Sequence, residues 1–215
     1  MKFSEMPYER VDFNKVEEEF KQLMKEFGEA ATGEGQFAVH QKYYRLRDKV
    51  DTMMTIAQIM EKMIAFSEGN IHDITHLSCV WTYAKTIGEL EGLDADTQFI
   101  LEVAAITHDI ACPLCRKKYG NTNGKYQEQE GAPLVREFLA DTGMTAEQID
   151  RVAYLVGHHH SPAQIDGIDY QILIEADYIV NASESGYDQQ AIRTFMEHTM
   201  KTAAGIRLTK TVFGV

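Results

Sequence analysis

The chain has 215 residues, of which 44% are hydrophobic and 25% charged, so it can form one domain, or one domain with a helical extension. Its formal net charge of −12 argues against binding to polymeric nucleic acid, which requires clustered lysine and arginine side chains. No apolar run approaches the roughly 20 residues that would span a membrane, and the first residues lack the pattern of a signal peptide. We therefore expect a cytoplasmic protein without a membrane partner.

The three cysteines, Cys79, Cys112 and Cys115, are too few and too odd in number for a disulfide scaffold. Cys112 and Cys115 form a single CxxC motif, whereas a structural zinc site would need two further ligands at suitable spacing. A redox role would require a thioredoxin-like βαβ context, which the sequence does not indicate. We therefore expect reduced thiols in a loop, with the zinc and redox interpretations as the less favoured alternatives.

Helical periodicity of apolar residues dominates the chain, and no segment shows the alternation that is typical of a β-strand. The first two predicted helices cover residues 11–27 and, as one long segment rich in methionine, residues 37–66. A break near Gly69 and a candidate N-cap at Asn70 separate them from the rest of the chain. This break predicts an N-terminal helical extension over residues 1–68 and a main domain over residues 69–215.

The main domain is also predicted to be helical throughout, so that the fold class is all-α with about eight helices. A polar, glycine-bearing stretch at residues 117–126 is predicted to be a loop, and residues 145–148 resemble a capping box that opens a helix. The remaining predicted helices cover residues 71–90, 96–108, 132–139, 168–180 and 188–204.

Three groups of histidines and acids lie on the apolar helices of the main domain. His76 follows His72 by one turn, His108 and Asp109 end an apolar helix, and Asp177 shares a helical face with apolar residues. A carboxylate on such a face must be paired, hydrogen-bonded or metal-bound, because burying it alone is very costly. Each residue by itself has an ordinary structural explanation, whereas their occurrence together and in this order predicts a metal site.

The same residues give the chain its resemblance to a known family. Between residues 70 and 181 the sequence contains HDITHLSCV (72–80), AITHDI (105–110) and EADY (175–178). In this order the motifs resemble those of the HD-domain superfamily of metal-dependent phosphohydrolases. The resemblance implies an HD-domain-like helical bundle and, as metal ligands, His76, His108, Asp109 and Asp177.

The resemblance also draws attention to the histidine run at His158, His159 and His160. Some relatives bind a second metal with extra histidines between the doublet and the last aspartate, so these residues, with His72, are candidates for a second metal or a substrate contact. His158 or His159 is favoured over His160. The alternative is a polar helix terminus with exposed imidazole rings.

Other candidate residues surround the HD doublet. Many relatives follow the doublet with Ile-Gly and a nearby lysine, whereas this chain has Ile110-Ala111-Cys112, which leaves the lysine contact open. Lys125 is the residue that we assign to a substrate phosphate, with Lys117 and Lys118 as further candidates; exposed lysines are otherwise simply solvated. Glu130 is predicted to orient water or support the catalytic site, whereas Glu128 is expected at the surface.

Two imidazoles and two carboxylates suit Mn, Fe, Co, Ni or Zn ions, which leave positions open for water and substrate. Such an ion lowers the pKa of bound water and polarises a phosphoryl oxygen, with Asp109 as the residue that orients or deprotonates the water. The resemblance implies hydrolysis of a small phosphomonoester or phosphodiester, in particular a nucleotide. The alternatives are a di-iron oxygenase of HD type and a metal- and nucleotide-binding module without turnover. A homodimer is an open expectation.

Overall fold

The computed structural model describes residues 13–30, 32–50 and 53–215. The described residues form helices joined by short connections, and none of them lies in a β-strand, so the predicted all-α fold class is confirmed. Residues 11 and 12 of the first predicted helix lie outside the described residues. The helices are α1 (Phe13–Glu29), α2 (Gly33–Val50), α3 (Ile56–Phe66), α4 (Ile71–Glu91), α5 (Ala95–Thr107), α6 (Cys112–Tyr119), α7 (Gly124–Leu139), α8 (Ala146–Val156), α9 (Ile168–Ser185), α10 (Gln189–His198) and α11 (Ala203–Phe213).

Side-chain caps fix where several of these helices begin. The Asn70 side chain accepts a hydrogen bond from the Asp73 amide and starts α4, as predicted. Thr145 and Gln148 form the predicted capping box at the start of α8. A second capping box, which begins at Thr55, starts α3. Each cap contributes about 1 kcal/mol, because it satisfies amide groups that the helix itself leaves without partners.

Two predicted long helices are each divided in the structure. The segment predicted as one helix over residues 37–66 contains the end of α2 at Val50 and the start of α3 at Ile56. The segment predicted over residues 188–204 is α10 followed by the start of α11, because Thr202 caps a new helix by accepting from the Gly205 amide. Apolar periodicity does not reveal such interruptions, since both parts keep an apolar face.

The predicted loop at residues 117–126 was wrong over most of its length. Helix α6 continues to Tyr119, where Gly120 adopts φ 70° and ends it in the left-handed conformation. Asn123 then caps α7, accepting from the Lys125 amide at 3.1 Å. Cys112 and Cys115 therefore lie in a helix and are both buried, which corrects the expectation of thiols in a loop. Burial raises the pKa of Cys112, so its thiol is protonated and unreactive.

The core of the main domain is centred on α5. All residues from Ile100 to Thr107 are buried, because α4, α8 and α9 pack around this helix. Glu102, although buried, is satisfied by the Trp81 indole at 2.9 Å and the Lys85 ammonium at 3.1 Å. This buried carboxylate thereby links α5 to α4 through hydrogen bonds. The two helices that deliver His76 and His108 are consequently held together by both packing and polar contacts.

A second buried carboxylate, Glu175 on α9, holds the start of α11. It accepts hydrogen bonds from the backbone amides of Lys201 at 2.7 Å and Thr202 at 3.0 Å. Negative charge is favourable at a helix N-terminus, where amide groups lack partners. A Cβ atom at Gly205 would collide with the Glu175 carboxylate, so the close approach requires glycine. Glu175 lies two residues before Asp177 and therefore helps to fix the part of α9 that carries it.

The N-terminal helices α1 and α2 pack on each other around a small cluster of Leu23, Val39 and Leu46. Helix α3, by contrast, contributes Ile59 and Met63 to the core of the main domain. The division of the chain at residue 68 stays a prediction.

One stretch of the described residues, Ala95–Tyr119, has the length and the apolar composition that a membrane-spanning helix would need. This differs from the expectation that no apolar run would approach such a length. The stretch consists of α5 and α6 in succession, and 72% of its most apolar window is buried inside the fold. Its apolar character is that of a helix at the centre of the core.

Candidate metal centre

Four predicted ligands converge at one point of the main domain. His76 comes from the first half of α4, His108 and Asp109 directly follow α5, and Asp177 comes from the middle of α9. The Nε2 atoms of His76 and His108 are 3.2 Å apart. The Asp177 Oδ1 atom lies 3.2 Å from the first of these nitrogens and 3.5 Å from the second. We refer to His76, His108, Asp109 and Asp177 as the first group.

The spacing of these atoms fits the donor set of one metal ion. Asp109 completes it, with carboxylate oxygens 3.8 Å from His76 Nε2 and 3.9 Å from His108 Nε2. With metal–ligand bonds of about 2.1 Å, two donors on one ion are separated by roughly 3.0 Å in octahedral and roughly 3.4 Å in tetrahedral geometry. Each carboxylate thus has an oxygen within 3.9 Å of each ring nitrogen, which is close to the arrangement that binds a single divalent ion.

The electrostatics of the first group also favour a cation. Burial alone would raise the pKa of Asp177, yet hydrogen bonds with His108 and His76 hold it well below its usual range. Burial likewise opposes ionisation of Asp109, but the adjacent His108 and the nearby His159 lower its pKa. Burial would lower the pKa of His76, whereas Asp177 and Asp109 raise it to about 9. The two carboxylates thus carry negative charge that protons on the imidazole rings partly neutralise, and a metal ion can replace those protons.

A second group forms around the same aspartate. Asp109 Oδ1 is 3.4 Å from Nε2 of the buried His159, whose ring packs against His160 with centroids 4.0 Å apart. Asp109, His159 and His160 have ligand atoms within 4.8 Å of one another, and we refer to them as the second group. The His159 Nε2 atom is buried and has no hydrogen bond of normal geometry to any described residue. Buried polar atoms normally have a partner, and a ring nitrogen close to a carboxylate is suited to bind a metal ion together with it. The second group is therefore a candidate for a second metal position.

Three histidines of the two groups share the same orientation. The Nδ1 atom of His108 bonds to the Ala105 carbonyl at 2.8 Å, and that of His159 bonds to the Val156 carbonyl at 2.8 Å. The Nδ1 atom of His76 instead bonds to the Glu184 carboxylate at 3.0 Å. In each ring the Nδ1–H group donates to an oxygen, so the Nε2 atom is left free to bind a metal.

The histidine run is held in place by residues of α7 and α9. Glu128 accepts hydrogen bonds from the His160 amide at 3.1 Å and from the Ser161 hydroxyl at 2.9 Å. A Cβ atom at Gly124 would lie 2.7 Å from the His160 ring, so only glycine permits this packing. The Tyr170 hydroxyl donates to the His158 carbonyl of the run and also lies 2.9 Å from the carbonyl of Ser161, the residue after it.

The segment that follows the run is fixed by one arginine. Arg151 on α8 donates to both Asp169 oxygens, at 2.8 and 2.6 Å, and to both Asp166 oxygens, at 2.9 and 2.8 Å. Such paired guanidinium–carboxylate contacts combine geometric precision with charge assistance. The turn that carries His159 and His160 is therefore fixed from three sides, by α7, α8 and α9.

Other predicted site residues lie elsewhere. His72 is exposed, and its ring is 3.7 Å from Asp73 and 3.9 Å from Glu184. The His158 ring bonds to the Tyr154 carbonyl at 2.7 Å and packs on the Tyr154 ring. Neither histidine belongs to the first or second group. Within the run, His160 lies with His159 in the second group and His158 does not, which differs from the expected preference for His158 over His160.

The contacts of the two glutamates of α7 differ from those expected from the sequence. Glu130 accepts from the Lys118 ammonium at 2.8 Å and the Tyr119 hydroxyl at 2.7 Å, so its carboxylate is engaged with α6. Glu128, expected at the surface, is the one that holds the histidine run. Lys125 is exposed and directly follows Gly124, the residue that packs against His160.

The sequence analysis did not identify Glu184 as part of the site. A signal was present, because Glu184 follows Asp177 by seven residues and two turns of helix return it to the same face. Glu128 was named but assigned to the surface, since its contact with the run joins residues 32 positions apart.

Different parts of the chain resemble different known protein families. The model of the peptidase M3 N-terminal domain matches residues 3–63, and a search of the curated proteins found no match. Among solved structures, the chain resembles a predicted HD superfamily hydrolase from an uncultured Thermotogales bacterium, with a TM-score of 0.51 and 22% sequence identity. The similarity covers 73% of this chain and 82% of that one, and at this identity it shows a shared fold.

The family model of the HD domain matches residues 73–186, just over half of the chain. This range contains all the residues of both groups, from His76 on α4 to Asp177 on α9. It also agrees with the motifs that gave the sequence its resemblance to metal-dependent phosphohydrolases, and it supports a metal-dependent hydrolase as the general class of activity. The chain belongs to the HD-domain family.

Proposed function

We propose that the protein hydrolyses a phosphate ester of a small molecule, in particular a nucleotide, with a divalent metal ion held by His76, His108, Asp109 and Asp177. The observation that carries this proposal is the convergence of two ring nitrogens, 3.2 Å apart, with two carboxylates that each have an oxygen within 3.9 Å of each nitrogen. Mn, Fe, Co, Ni and Zn all suit such a mixed donor set. A bound ion of this kind supplies an activated water and a positive charge for the phosphoryl oxygens.

Asp109 is the residue best suited to act on the attacking water, because it lies between the two groups and is partly exposed. Its lowered pKa makes the carboxylate a weak base. A weak base is better suited to accept a hydrogen bond from water, and so to orient it, than to remove its proton. We therefore assign Asp109 a ligand and water-orienting role and keep general-base action as the second option.

The substrate is proposed to approach from the side of His160 and Lys125. Both residues are exposed, and Lys125 lies at the start of α7 beside the glycine on which the His160 ring packs. In a chain with a net charge of −12, a local lysine together with a metal ion supplies the positive charge that a phosphate group needs. Neighbouring Lys118 is already paired with Glu130, which leaves Lys125 as the preferred phosphate contact.

The second group is proposed to bind a second metal ion through Asp109, His159 and His160. The buried, unbonded Nε2 atom of His159 supports this proposal, because a metal would satisfy it. Asp109 would then contribute one carboxylate oxygen to each ion. Two ions bridged by a carboxylate stabilise the attacking and the leaving oxygen of a phosphoryl transfer together.

The sharing of Asp109 by the two groups also favours one alternative function, a di-iron oxygenase of HD type. Histidine and carboxylate ligands also suit iron, and both groups share Asp109. Two bound irons per chain and substrate-dependent consumption of oxygen would support the oxygenase. Turnover without oxygen and release of phosphate would support the hydrolase.

The metal content of the purified protein is the first test. Elemental analysis should find one or two divalent ions per chain, and a panel of nucleotides and simple phosphate esters should then be assayed with that metal added. Release of phosphate by the wild type, and its loss in His108→Ala with the helical content kept, would support the proposal. A metal content that is the same in wild type and His108→Ala would contradict it.

The cellular and oligomeric setting is also proposed. We infer a cytoplasmic protein, since its three cysteines are free. We propose a homodimer as its assembly, with the exposed apolar side chains of α1 and α2, such as Phe37 and Met24, as the surface that pairs. Light scattering of the purified protein measures the mass directly, and a monomer at micromolar concentration would contradict the dimer.

A further inference from the structure

His76 is held on both edges of its ring by one helix. Asp177 approaches the Nε2 edge at 3.2 Å, and Glu184 approaches the Nδ1 edge at 3.0 Å, both from α9. The two carboxylates are seven residues apart, which corresponds to two turns and roughly 10 Å along the helix. The ring therefore lies between two carboxylates on one face of α9, of which Asp177 belongs to the first group and Glu184 does not.

The position of Glu184 is unfavourable in itself. It is the residue before the last of α9, where the carbonyl groups of the helix end carry partial negative charge. Its side chain is also only 29% exposed, so it gives up part of its hydration. Its carboxylate contacts His76 and, at 3.9 Å, His72. A hydrogen bond to the His76 ring compensates for both costs.

The other rings of the site show what this bond does. His108 and His159 have their Nδ1 atoms bonded to carbonyl oxygens of their own chain segment, three residues earlier in each case. Those bonds come with the local backbone and keep the Nε2 atoms directed into the site. His76 lies inside α4, and its Nδ1 atom bonds to the Glu184 side chain instead of a carbonyl oxygen. The side chain thus fixes the orientation of this ring, as the carbonyl groups do for His108 and His159.

We infer that Glu184 is a positioning residue of the metal centre: it holds the Nδ1–H tautomer of His76 and so directs an unprotonated Nε2 atom toward the metal. The inference rests on the proposed function, because it assumes that the first group binds a metal ion. A carboxylate partner also makes the ring a stronger donor than a neutral carbonyl does.

The test compares Glu184→Ala and Glu184→Gln with the wild type, and uses Glu197→Gln as the matched control. Glu197 is an exposed glutamate of α10, outside both groups. Affinity for Zn²⁺ and Mn²⁺ is measured by competition with a chelator, and the melting temperature of the metal-free protein is measured alongside. Outer-shell partners of metal-bound histidines typically contribute 10- to 100-fold to affinity, so Glu184→Ala should weaken binding by about that factor. Glu184→Gln keeps an acceptor oxygen without the charge and should lose less.

A spectroscopic measurement separates this role from a merely structural one. In the Zn²⁺-loaded protein, the His76 Nδ1–H proton should give a slowly exchanging NMR signal that disappears in Glu184→Ala and persists in Glu184→Gln and Glu197→Gln. Equal metal affinity in Glu184→Ala and wild type, with loss of binding in His108→Ala, would overturn the inference while leaving the proposed function in place. Absence of metal binding by the wild type would overturn the proposed function itself, and this inference with it.

Discussion

The two groups that share Asp109 differ in what holds their side chains. In the first group His76 and Asp177 lie within α4 and α9, and His108 directly follows α5, so packing of the core sets their separation. In the second group His159 and His160 lie on the turn after α8, which Glu128, Tyr170 and the contact with Gly124 hold in place. The first group should therefore persist as long as the domain is folded. The second depends on a few polar contacts and should be lost more easily.

The largest effect is expected for Asp109→Ala, because Asp109 belongs to both groups. We expect loss of all bound metal and of activity, with affinity reduced by more than about 100-fold, since outer-shell partners alone contribute 10- to 100-fold. Elemental analysis after dialysis measures the metal, and circular dichroism checks that the helical content remains. Retention of one ion by this variant would show that the groups are independent and that Asp109 does not bridge them.

His159→Ala should separate the groups, since His159 belongs to the second only. We expect one ion to be lost and the other to be retained with a changed affinity, because the two groups share Asp109 and are therefore coupled. His158→Ala is the matched control, as that ring bonds to the Tyr154 carbonyl outside both groups. Equal metal loss in both variants would mean that the whole run, rather than His159, supports binding.

The pH dependence should distinguish the first group in the metal-free protein. Asp177 and Asp109 raise the pKa of His76 to about 9, so its protonated form stabilises the fold fully below the ordinary value of 6.5. That contribution is lost as the pH rises through about 9. The lowered pKa values of Asp177 and Asp109 contribute stability that is present above about pH 4 and lost on acidification.

Metal binding should show the opposite trend to this stability, because the ion must displace the proton from His76. Affinity should rise between pH 6.5 and about 9 and then level off. Chelator competition at several pH values, with melting curves of the metal-free protein at the same values, measures both trends. An affinity independent of pH over this range would mean that His76 binds no metal.

The smallest of these effects is expected for Gly124→Ala, which tests the packing of the second group. The added Cβ atom would lie 2.7 Å from the His160 ring and should displace it, with a cost of roughly 1–3 kcal/mol. We expect about tenfold weaker binding of the second ion only, since 1.4 kcal/mol corresponds to tenfold. Gly120→Ala, at a glycine with open space around it but φ 70°, controls for a general loss of stability. A Gly124→Ala variant that binds both ions as the wild type does would contradict this role.

A pair of neighbouring glutamates can sharpen the same comparison. Glu128 contacts the histidine run, whereas Glu130 contacts Lys118 and Tyr119 on α6. Glu128→Gln should weaken binding of the second ion more than Glu130→Gln, because exposed ion pairs contribute little. A larger effect of Glu130→Gln would restore the water-orienting role that the sequence predicted for it.

Sequence patterns predicted the all-α fold, the helix starts at Asn70 and Thr145, and the polar residues on buried helical faces from which the resemblance to the HD-domain family selected the first group. These features follow from local rules: apolar residues at helical spacing, side chains that cap the next turn, and polar residues on a buried face that require partners. The sequence did not determine where α2 and α10 end, because an apolar face continues across both interruptions. Nor did it predict α6 over Cys112–Tyr119, since polar residues can lie on an exposed helix as readily as in a loop.

Which residues surround the candidate ligands depends on the tertiary structure. The contact of Glu184 with His76 joins residues 108 positions apart, and that of Glu128 with His160 joins residues 32 apart. Such contacts depend on how the helices pack, and periodicity along one helix specifies a face without specifying its neighbour. The choice of His159 and His160 over His158 has the same origin, because the turn after α8 directs consecutive rings to different sides. The local sequence pattern thus identified the residues at the centre of the candidate site. The packing of α7 and α9 determined which residues, Glu128 and Glu184, contact its histidines.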